Sequence, residues 1–174
     1  MKNIIIAFLF TFCASNLAGQ KILVLKNGKT LNVSPKSAED NIVSFLKDST
    51  SLQDTSLQNN WFLLEKTTFI LGKPVLEDSS ITQMKNIASI LIAYPKLKIA
   101  IGCHSDVLGS KTANIMLTQA RADAYKKYLI LQGVYKTKIT EAIGYGSKYA
   151  SHKSGSDYIE LIKDRKLTLR IVSF

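Results

Sequence analysis

Two side chains of opposite charge, Asp106 and Arg121, have the types and spacing to bind a ligand that carries both charges. Asp106 follows a predicted strand in the segment His104-Ser105-Asp106, and Arg121 lies farther along in a predicted helix. The carboxylate can accept hydrogen bonds from an ammonium group, and the guanidinium can hold a carboxylate through two parallel hydrogen bonds. Loops that lead from a strand into a helix are common ligand sites, because the first N–H groups of the helix are free. Spacing alone nevertheless favours a plainer interpretation, in which Asp106 caps the helix and Arg121 is solvated.

The elements that position these residues form one predicted domain over residues 61–174. Strands are predicted at 61–64, 97–103, 139–143 and 167–171, with helices from Asp78 or Ser79 to about Tyr94 and from Ser110 to Gly133. An irregular segment separates the last two strands. The order β-α-β-α-β-β predicts an α/β (α+β) two-layer sandwich, with both helices on one face of the sheet.

Periodicity also predicts which side chains are buried. On the second helix, residues at spacings of three and four form one apolar stripe, namely Ala113, Leu117, Ala120, Ala124, Tyr128 and Leu131. On the preceding strand, alternation directs Cys103 to the core, where a buried and inert thiol is expected. His104 then points to the opposite face, which argues against a Cys–His nucleophile or shared metal coordination.

The N-terminal end has the layout of a secretory signal peptide over residues 1–19. Lys2 provides a positive start, residues 4–12 are almost entirely apolar, and small and polar residues follow. Cleavage is predicted near Gln20, and the apolar run is shorter than the roughly 20 residues that span a membrane. A short buried helix is one alternative. Lipidation at Cys13 is another, which the bulky residues just before it disfavour.

A small unit is predicted at residues 20–47, before a linker at 48–60 that is rich in Ser, Thr, Gln and Asn. Asn27-Gly28 between short apolar runs indicates a hairpin, because both residues tolerate positive φ. Ser37 can cap a short helix after the hairpin. We expect this unit either to pack on the main domain or to dock on an outer-membrane or other envelope protein.

The charge of the chain and the motifs that it lacks limit the functions that can be expected. Lys and Arg outnumber Asp and Glu by 23 to 13, and the net charge of +10 favours an anionic partner. The basic residues are spread along the chain, which together with predicted export argues against nucleic acid. The sequence has no phosphate loop, HExxH motif or Ser-His-Asp order, so neither a cofactor, a metal nor enzymatic activity is expected. After the signal peptide, no apolar run is long enough to span a membrane as a helix.

The strand and loop around Asp106 belong to a recognisable pattern. The segment from residue 99 to residue 110 resembles the signature of the OmpA-like peptidoglycan-binding domain family. It reads Ile99-Ala100-Ile101-Gly102-Cys103-His104-Ser105-Asp106-Val107-Leu108-Gly109-Ser110. The resemblance continues through Asn114, Leu117, Gln119-Ala120-Arg121-Ala122-Asp123-Ala124, Gln132-Gly133-Val134 and Gly144-Tyr145-Gly146-Ser147. Upstream, Trp61-Phe62-Leu63-Leu64-Glu65, Phe69 and Leu76 are similar to the family's opening strand and loop. The resemblance covers about two thirds of the chain.

The resemblance implies an exported, non-enzymatic protein that binds the diaminopimelate residue of peptidoglycan stem peptides and tethers the cell envelope. In the family, an aspartate after the second strand and an arginine on the second helix hold the ammonium and carboxylate of that residue. Asp106 and Arg121 occupy these positions. Supporting roles are implied for His104, Ser105, Gly109, Asn114, Leu117 and Arg165. The implied location is the periplasm or the periplasmic face of the outer membrane.

The sequence departs from the family pattern before its last strand. The family has a Gly-Arg pair and then Asn-Arg-Arg, whereas this chain lacks the pair and has Asp164-Arg165-Lys166. Cys103 also replaces a usual glycine. The altered stretch from Ser151 to Lys166 motivates an alternative, in which a degenerate domain serves as a periplasmic protein-interaction module and does not bind peptidoglycan.

Overall fold

The computed structural model describes residues 19–48 and 60–174. The predicted signal peptide at 1–19 and the predicted linker at 48–60 lie outside the described residues, apart from their boundary positions. Both segments, and the division of the chain into domains, remain predictions from the sequence.

A hairpin and a helix form the N-terminal unit. Strands β1 (Lys21–Val24) and β2 (Thr30–Val33) pair antiparallel, and helix α1 (Ala38–Lys47) follows. Gly28 has a φ of +83°, the left-handed conformation that the predicted Asn-Gly turn requires. Ser37 caps α1, because its side chain accepts a hydrogen bond from a backbone N–H of the first turn. The predicted hairpin and helix are therefore confirmed.

The main domain is a mixed sheet with helices packed against it. Its elements are β3 (Trp61–Leu63), α2 (Ile81–Ala93), β4 (Lys98–Cys103), α3 (Lys111–Leu131), β5 (Ile139–Gly144), α4 (Tyr158–Ile162) and β6 (Leu167–Ser173). The strand order is β3-β6-β4-β5, in which β4 and β5 are parallel and the other pairs are antiparallel. This architecture confirms the predicted fold class. The segment expected to be irregular contains the short helix α4.

Alternate residues of β4 point into the core. Ile99, Ile101 and Cys103 belong to the core cluster, as strand alternation predicts. Burial raises the pKa of the Cys103 thiol to about 12, although the charge of Arg121 acts in the opposite direction. The thiol is therefore protonated at neutral pH, which agrees with the expectation of a buried, unreactive cysteine.

The buried face of α3 differs from the predicted stripe. The helix buries Thr118, Arg121, Ala122, Tyr125 and Leu129. Of the predicted stripe, Ala113 and Leu131 are exposed, and Leu117, Ala120, Ala124 and Tyr128 are only partly buried. The predicted stripe is therefore wrong by about one position around the helix. The cause is that Thr118 and Arg121 are polar but occupy the inward face, where both make hydrogen bonds.

The N-terminal unit packs on the main domain through apolar and polar contacts. Phe45 of α1 meets Phe62 of β3 edge to face, with ring centroids 5.7 Å apart. Glu39 of α1 is only 3% exposed, and it accepts hydrogen bonds from Gln83 Nε2 at 3.2 Å and Asn86 Nδ2 at 3.1 Å. These donors satisfy a buried carboxylate that would otherwise oppose folding, so they fix α1 against α2.

Gly144 allows α3 to lie directly against β5. A Cβ atom at residue 144 would lie 2.1 Å from the backbone nitrogen of Gln119 and 2.5 Å from the carbonyl carbon of Thr118. Gln119 secures the contact, because its Oε1 accepts from the backbone N–H of Gly144 at 2.9 Å and its Nε2 donates to the carbonyl of Ala142 at 3.0 Å. The contact holds α3, and with it Arg121, in a fixed position on the sheet.

Candidate ligand-binding site

The loop between β4 and α3 is held in shape by hydrogen bonds to its backbone. The side-chain amide of Asn114 donates to the carbonyls of Asp106 at 3.2 Å and Leu108 at 2.8 Å. The hydroxyl of Ser105 donates to the same carbonyl of Asp106 at 2.9 Å. Gly109 has a φ of +82°, which glycine adopts without strain. Ser105, Gly109 and Asn114 therefore order the loop that presents Asp106.

Asp106 does not cap α3. The cap is Ser110, whose hydroxyl accepts a hydrogen bond from the backbone N–H of Ala113 at 3.1 Å. The capping interpretation drawn from spacing is therefore wrong. Asp106 is 3% exposed, and its Oδ1 accepts from the backbone N–H of Leu108 at 2.8 Å while its Oδ2 accepts from Nε of Arg165 at 2.5 Å. The carboxylate is thus buried, fixed in orientation and paired with a cation.

Arg121 is also buried rather than solvated, with 8% of its surface exposed. Its Nε donates to the carbonyl of Lys73 at 3.1 Å, and its Nη2 donates to the carbonyl of Ile70 at 3.2 Å. The guanidinium lies 5.2 Å from the ring centroid of Phe69, within cation–π range. Nη1 donates no hydrogen bond to the described part of the chain, so its N–H groups remain for a ligand.

Arg121 and Arg165 line one pocket of about 350 Å³. Lys166 adds a third positive charge to its wall, and Glu77 a negative one. Burial is the main cause that lowers the pKa of Arg121, and the nearby charge of Arg165 acts in the same direction. Guanidinium groups remain protonated at neutral pH despite such shifts. The pocket therefore suits a carboxylate or another small anion.

The structure brings only part of the predicted set to this pocket. His104, Arg121 and Arg165 line it, and Asp106 reaches it through Arg165. Burial, followed by the charge of Lys166, lowers the pKa of His104 to about 4, so its ring is neutral at physiological pH. Leu117 is partly buried on α3 and is not among the residues that line the pocket.

Two features of the site carry little or no signal in the sequence. Ile70 and Lys73 hold Arg121 through backbone carbonyls, so their side-chain types carry no signal for this role. Tyr158 of α4 lies with its ring centroid 5.3 Å from the guanidinium carbon of Arg165, and its hydroxyl accepts from Nη1 of that arginine at 3.4 Å. An aromatic residue in a segment without periodicity was the only signal for Tyr158.

Asp164 orders the segment in which the sequence departs from the family pattern. It is 2% exposed and accepts hydrogen bonds from the backbone N–H groups of Ser151 and His152, each at 3.0 Å, and from Nδ1 of His152 at 3.0 Å. Burial alone would raise the pKa of Asp164, but these hydrogen bonds outweigh it and lower the pKa. Asp164 therefore ties the loop after β5 to the end of α4, the helix that carries Tyr158.

The site offers ion pairs and hydrogen bonds to a ligand. Within residues 19–48 and 60–174, no group of three or more His, Cys, Asp and Glu side chains is arranged to hold a metal ion. None of the helices in these two ranges is long and apolar enough to cross a lipid bilayer.

A protein-family model matches the central part of the chain. A model described as the OmpA family matches residues 68–158, which is about half of the sequence. The matched span contains the loop after β4 and the whole of α3, and therefore both Asp106 and Arg121. It ends before Arg165.

Curated relatives align with a similar share of the chain. Outer membrane porin F of Pseudomonas fluorescens is 36% identical over 78 residues, which is 45% of this chain and 24% of that protein. The probable lipoprotein YiaD of Escherichia coli is 30% identical over 88 residues, which is 50% of this chain and 40% of that protein. This similarity therefore covers less than half of each relative.

Solved structures resemble the main domain more extensively. The peptidoglycan-associated lipoprotein from Burkholderia pseudomallei gives a TM-score of 0.51 at 23% identity, covering 62% of this chain and 86% of that chain. The C-terminal domain of Helicobacter pylori MotB gives a TM-score of 0.54 at 18% identity, covering 63% of this chain and 84% of that chain. At these identities the likeness establishes the fold alone.

Proposed function

The chain belongs to the OmpA family, and we propose that it is a non-enzymatic protein of the cell envelope that binds peptidoglycan without forming a covalent bond. Two similar proteins point in this direction, because one is a peptidoglycan-associated lipoprotein and another an outer membrane porin. The net charge of +10 also favours association with an anionic polymer.

The observation that carries the proposal is a buried Arg121 that faces a pocket with unused N–H donors. The proposed ligand is the diaminopimelate residue of an uncrosslinked stem peptide, whose side chain ends in an ammonium and a carboxylate. The carboxylate binds Nη1 of Arg121, a residue with only 8% of its surface exposed. A hydrogen bond between charged groups in such a setting contributes about 1.5–3 kcal/mol.

Asp106 receives the ammonium group in this mechanism. Its Oδ1 and Oδ2 each accept one hydrogen bond within the protein, and an ionised carboxylate has further lone pairs to offer. The side chain of Arg165 is 27% exposed, so the ammonium either shares the carboxylate with Arg165 or displaces it toward solvent. Arg165 thereby becomes a second partner for the ligand carboxylate.

The proposed location is the periplasm or the periplasmic face of the outer membrane, after removal of residues 1–19. The protein would act there as a reversible tether to the wall. The N-terminal unit offers a contact surface for an outer-membrane or envelope protein, because Ile22 and Val24 on β1 are 66% and 54% exposed.

Co-sedimentation with purified diaminopimelate-type sacculi tests the proposal. We expect the folded wild-type protein to sediment with the sacculi, and Arg121→Ala and Asp106→Asn to abolish this. Arg121→Lys keeps the charge but loses the planar fork, so it should bind weakly. Circular dichroism and thermal melts establish first that every variant is folded.

Matched surface variants control for the change in net charge. Lys127→Ala removes a positive charge from an exposed position of α3, and Asp123→Asn removes a negative one. Neither should alter sedimentation. Sacculi with lysine in place of diaminopimelate lack the second carboxylate of the ligand side chain and should bind much less protein. Equal binding to both kinds of sacculi would contradict the diaminopimelate assignment.

A second candidate function is favoured by the pairing of Asp106 with Arg165. In a degenerate domain this ion pair closes the site permanently, and the fold serves as a periplasmic protein-interaction module. Absence of sedimentation by the folded wild-type protein, with binding restored by Arg165→Ala, would support this alternative over the proposed function.

A further inference from the structure

A cluster of four rings lies on the face of the sheet that points away from the core. We name it the aromatic cluster, and its members are Trp61, His104, Tyr145 and Tyr149. Tyr145 is central, because its ring centroid lies 6.5 Å from that of Trp61, 5.1 Å from that of His104 and 5.2 Å from that of Tyr149. Together with Lys166 and Thr168, these rings line a cavity of about 360 Å³.

Gly102 makes room for the aromatic cluster. It lies in β4 between the core residues Ile101 and Cys103, so its own position faces the other side of the sheet. A Cβ atom at residue 102 would lie 3.0 Å from the ring of Tyr145 and 3.1 Å from the ring of Trp61. The rings therefore pack directly on the strand backbone, which gives the cavity a rigid floor.

Two members of the aromatic cluster remain accessible. Trp61 is 38% exposed and Tyr149 is 51% exposed. Large aromatic side chains that stay exposed around a concave surface are typical of binding sites, because they offer much contact area at a small cost in conformational entropy. Cations flank both rings, with Arg170 5.6 Å from the centroid of Trp61 and Lys148 5.1 Å from that of Tyr149.

His104, which lines the cavity, has a buried ring nitrogen without a hydrogen-bond partner in the described residues. Thr168 Oγ1 donates to the carbonyl of Gly102 at 3.2 Å, so it accepts its hydrogen bond from Nε2 of His104, also at 3.2 Å. Because the ring of His104 is neutral, this assignment leaves Nδ1 unprotonated. Nδ1 is one of the few buried side-chain atoms in the described residues that have no hydrogen-bond partner. A ligand hydroxyl or amide group that reached this buried nitrogen would supply its missing hydrogen bond.

We propose that this cavity binds a sugar ring of the glycan strand of peptidoglycan, an N-acetylhexosamine. A pyranose ring has an apolar C–H face that stacks on Trp or Tyr and an edge of hydroxyl and acetamide groups that needs polar partners. The cavity offers both, because the rings of Trp61, Tyr145 and Tyr149 and the polar side chains of His104, Lys166 and Thr168 line it. The inference rests on the proposed function, because the glycan is covalently joined to the stem peptide.

The cavity lies beside the candidate ligand-binding pocket. His104 and Lys166 line both of them, so the two share a wall. A ligand whose peptide part binds at Arg121 can therefore extend past His104 and place its sugar on the aromatic cluster. Nucleobases stack on aromatic rings as well, so single-stranded nucleic acid is the competing ligand chemistry.

Calorimetry with two defined ligands tests the sugar site on the purified protein. One ligand is the disaccharide–tetrapeptide unit of diaminopimelate-type peptidoglycan, and the other is the same tetrapeptide without sugars. We expect the sugar-bearing ligand to bind about three- to tenfold more tightly, the range given by one aromatic stacking contact. Tyr149→Ala and Trp61→Leu should reduce this preference toward unity without weakening the free tetrapeptide. Tyr135→Ala, which changes a 77% exposed tyrosine outside the cluster, should leave both affinities unchanged.

The outcomes separate this inference from the proposed function. Equal affinities for the two ligands, unaffected by Tyr149→Ala, would overturn the sugar site and leave peptidoglycan binding intact. If neither ligand binds the folded wild-type protein, both proposals fail. A third ligand, a random single-stranded oligonucleotide, tests the competing chemistry. If it binds more tightly than the disaccharide–tetrapeptide, and if Tyr149→Ala abolishes this binding, nucleobase stacking replaces the sugar assignment.

Discussion

Nε of Arg165 lies 2.5 Å from Oδ2 of Asp106, so an arginine between α4 and β6 is the direct partner of the aspartate that follows β4. The side chain of Asp106 is 4% exposed and that of Arg165 is 27% exposed. Arg165 is therefore the more exposed member of the pair. In the proposed function, an ammonium ligand shares the carboxylate with this arginine or displaces it, so we expect removal of Arg165 to change both stability and ligand binding.

Arg165→Ala should destabilise the protein, because it leaves the buried carboxylate of Asp106 without its cation. We expect the free energy of unfolding in urea at pH 7 to fall by about 2 kcal/mol. Lys163→Ala is the matched control, since it removes the same charge from an exposed position two residues away and should cost less than about 0.5 kcal/mol. Equal losses for the two variants would show that the Asp106–Arg165 pair adds no stability.

His104 should make stability depend on pH between neutrality and pH 4. Burial lowers its pKa from the ordinary value of 6.5 to about 4. Between these two pH values, the imidazole is protonated in the unfolded chain and neutral in the folded protein. The contribution of the neutral imidazole to the free energy of unfolding is therefore complete above pH 6.5 and is lost as the pH falls toward 4. Relative to His104→Gln, the wild-type protein should lose roughly 2–3 kcal/mol of unfolding free energy between pH 7 and pH 4. Parallel pH profiles for the two proteins would contradict this prediction.

Asp164→Asn should loosen the loop after β5. An amide cannot accept all the hydrogen bonds that the carboxylate receives from Ser151 and His152, and we expect a loss of about 2 kcal/mol at pH 7. The pKa of Asp164 lies below its ordinary value of 3.8, so its contribution is complete above that pH and disappears as the pH falls through the lower folded value. The difference between wild type and variant should therefore shrink in acid. Asp157→Asn, at an exposed position whose side chain makes no capping hydrogen bond, should change little.

Gly144→Ala should separate α3 from β5. The added Cβ would lie 2.1 Å from a backbone atom of the helix, which cannot move without shifting the whole element, and we expect a loss of about 3 kcal/mol in thermal or urea unfolding. Gly155→Ala is the comparison, because residue 155 has a φ of +106° but no atom within 4 Å of an added Cβ. It should cost only about 1 kcal/mol, from backbone strain. A smaller loss at residue 144 than at 155 would contradict the packing argument.

Local sequence patterns predict most of the fold and point to Asp106 and Arg121 as the candidate binding residues. The Asn-Gly turn, the Ser37 cap and the alternation in β4 each involve residues a few positions apart, where hydrogen bonding and side-chain direction follow from the chain itself. The motif from Ile99 to Ser110, with Arg121 on the next helix, predicts a binding site at the loop after β4. For the same reason, the order of strands and helices was predictable.

Tertiary structure alone decided the partners of those residues. The sheet order β3-β6-β4-β5 places the start of β6 beside the end of β4, and so Arg165 meets Asp106 across a separation of 59 positions. The inward face of α3 was misjudged because hydrophobicity cannot show that Thr118 and Arg121 find hydrogen-bond partners inside. The aromatic cluster likewise gathers Trp61 of β3, His104 after β4 and Tyr145 after β5, which are far apart in the sequence. Such contacts depend on which elements become neighbours, and no local pattern in the chain encodes that.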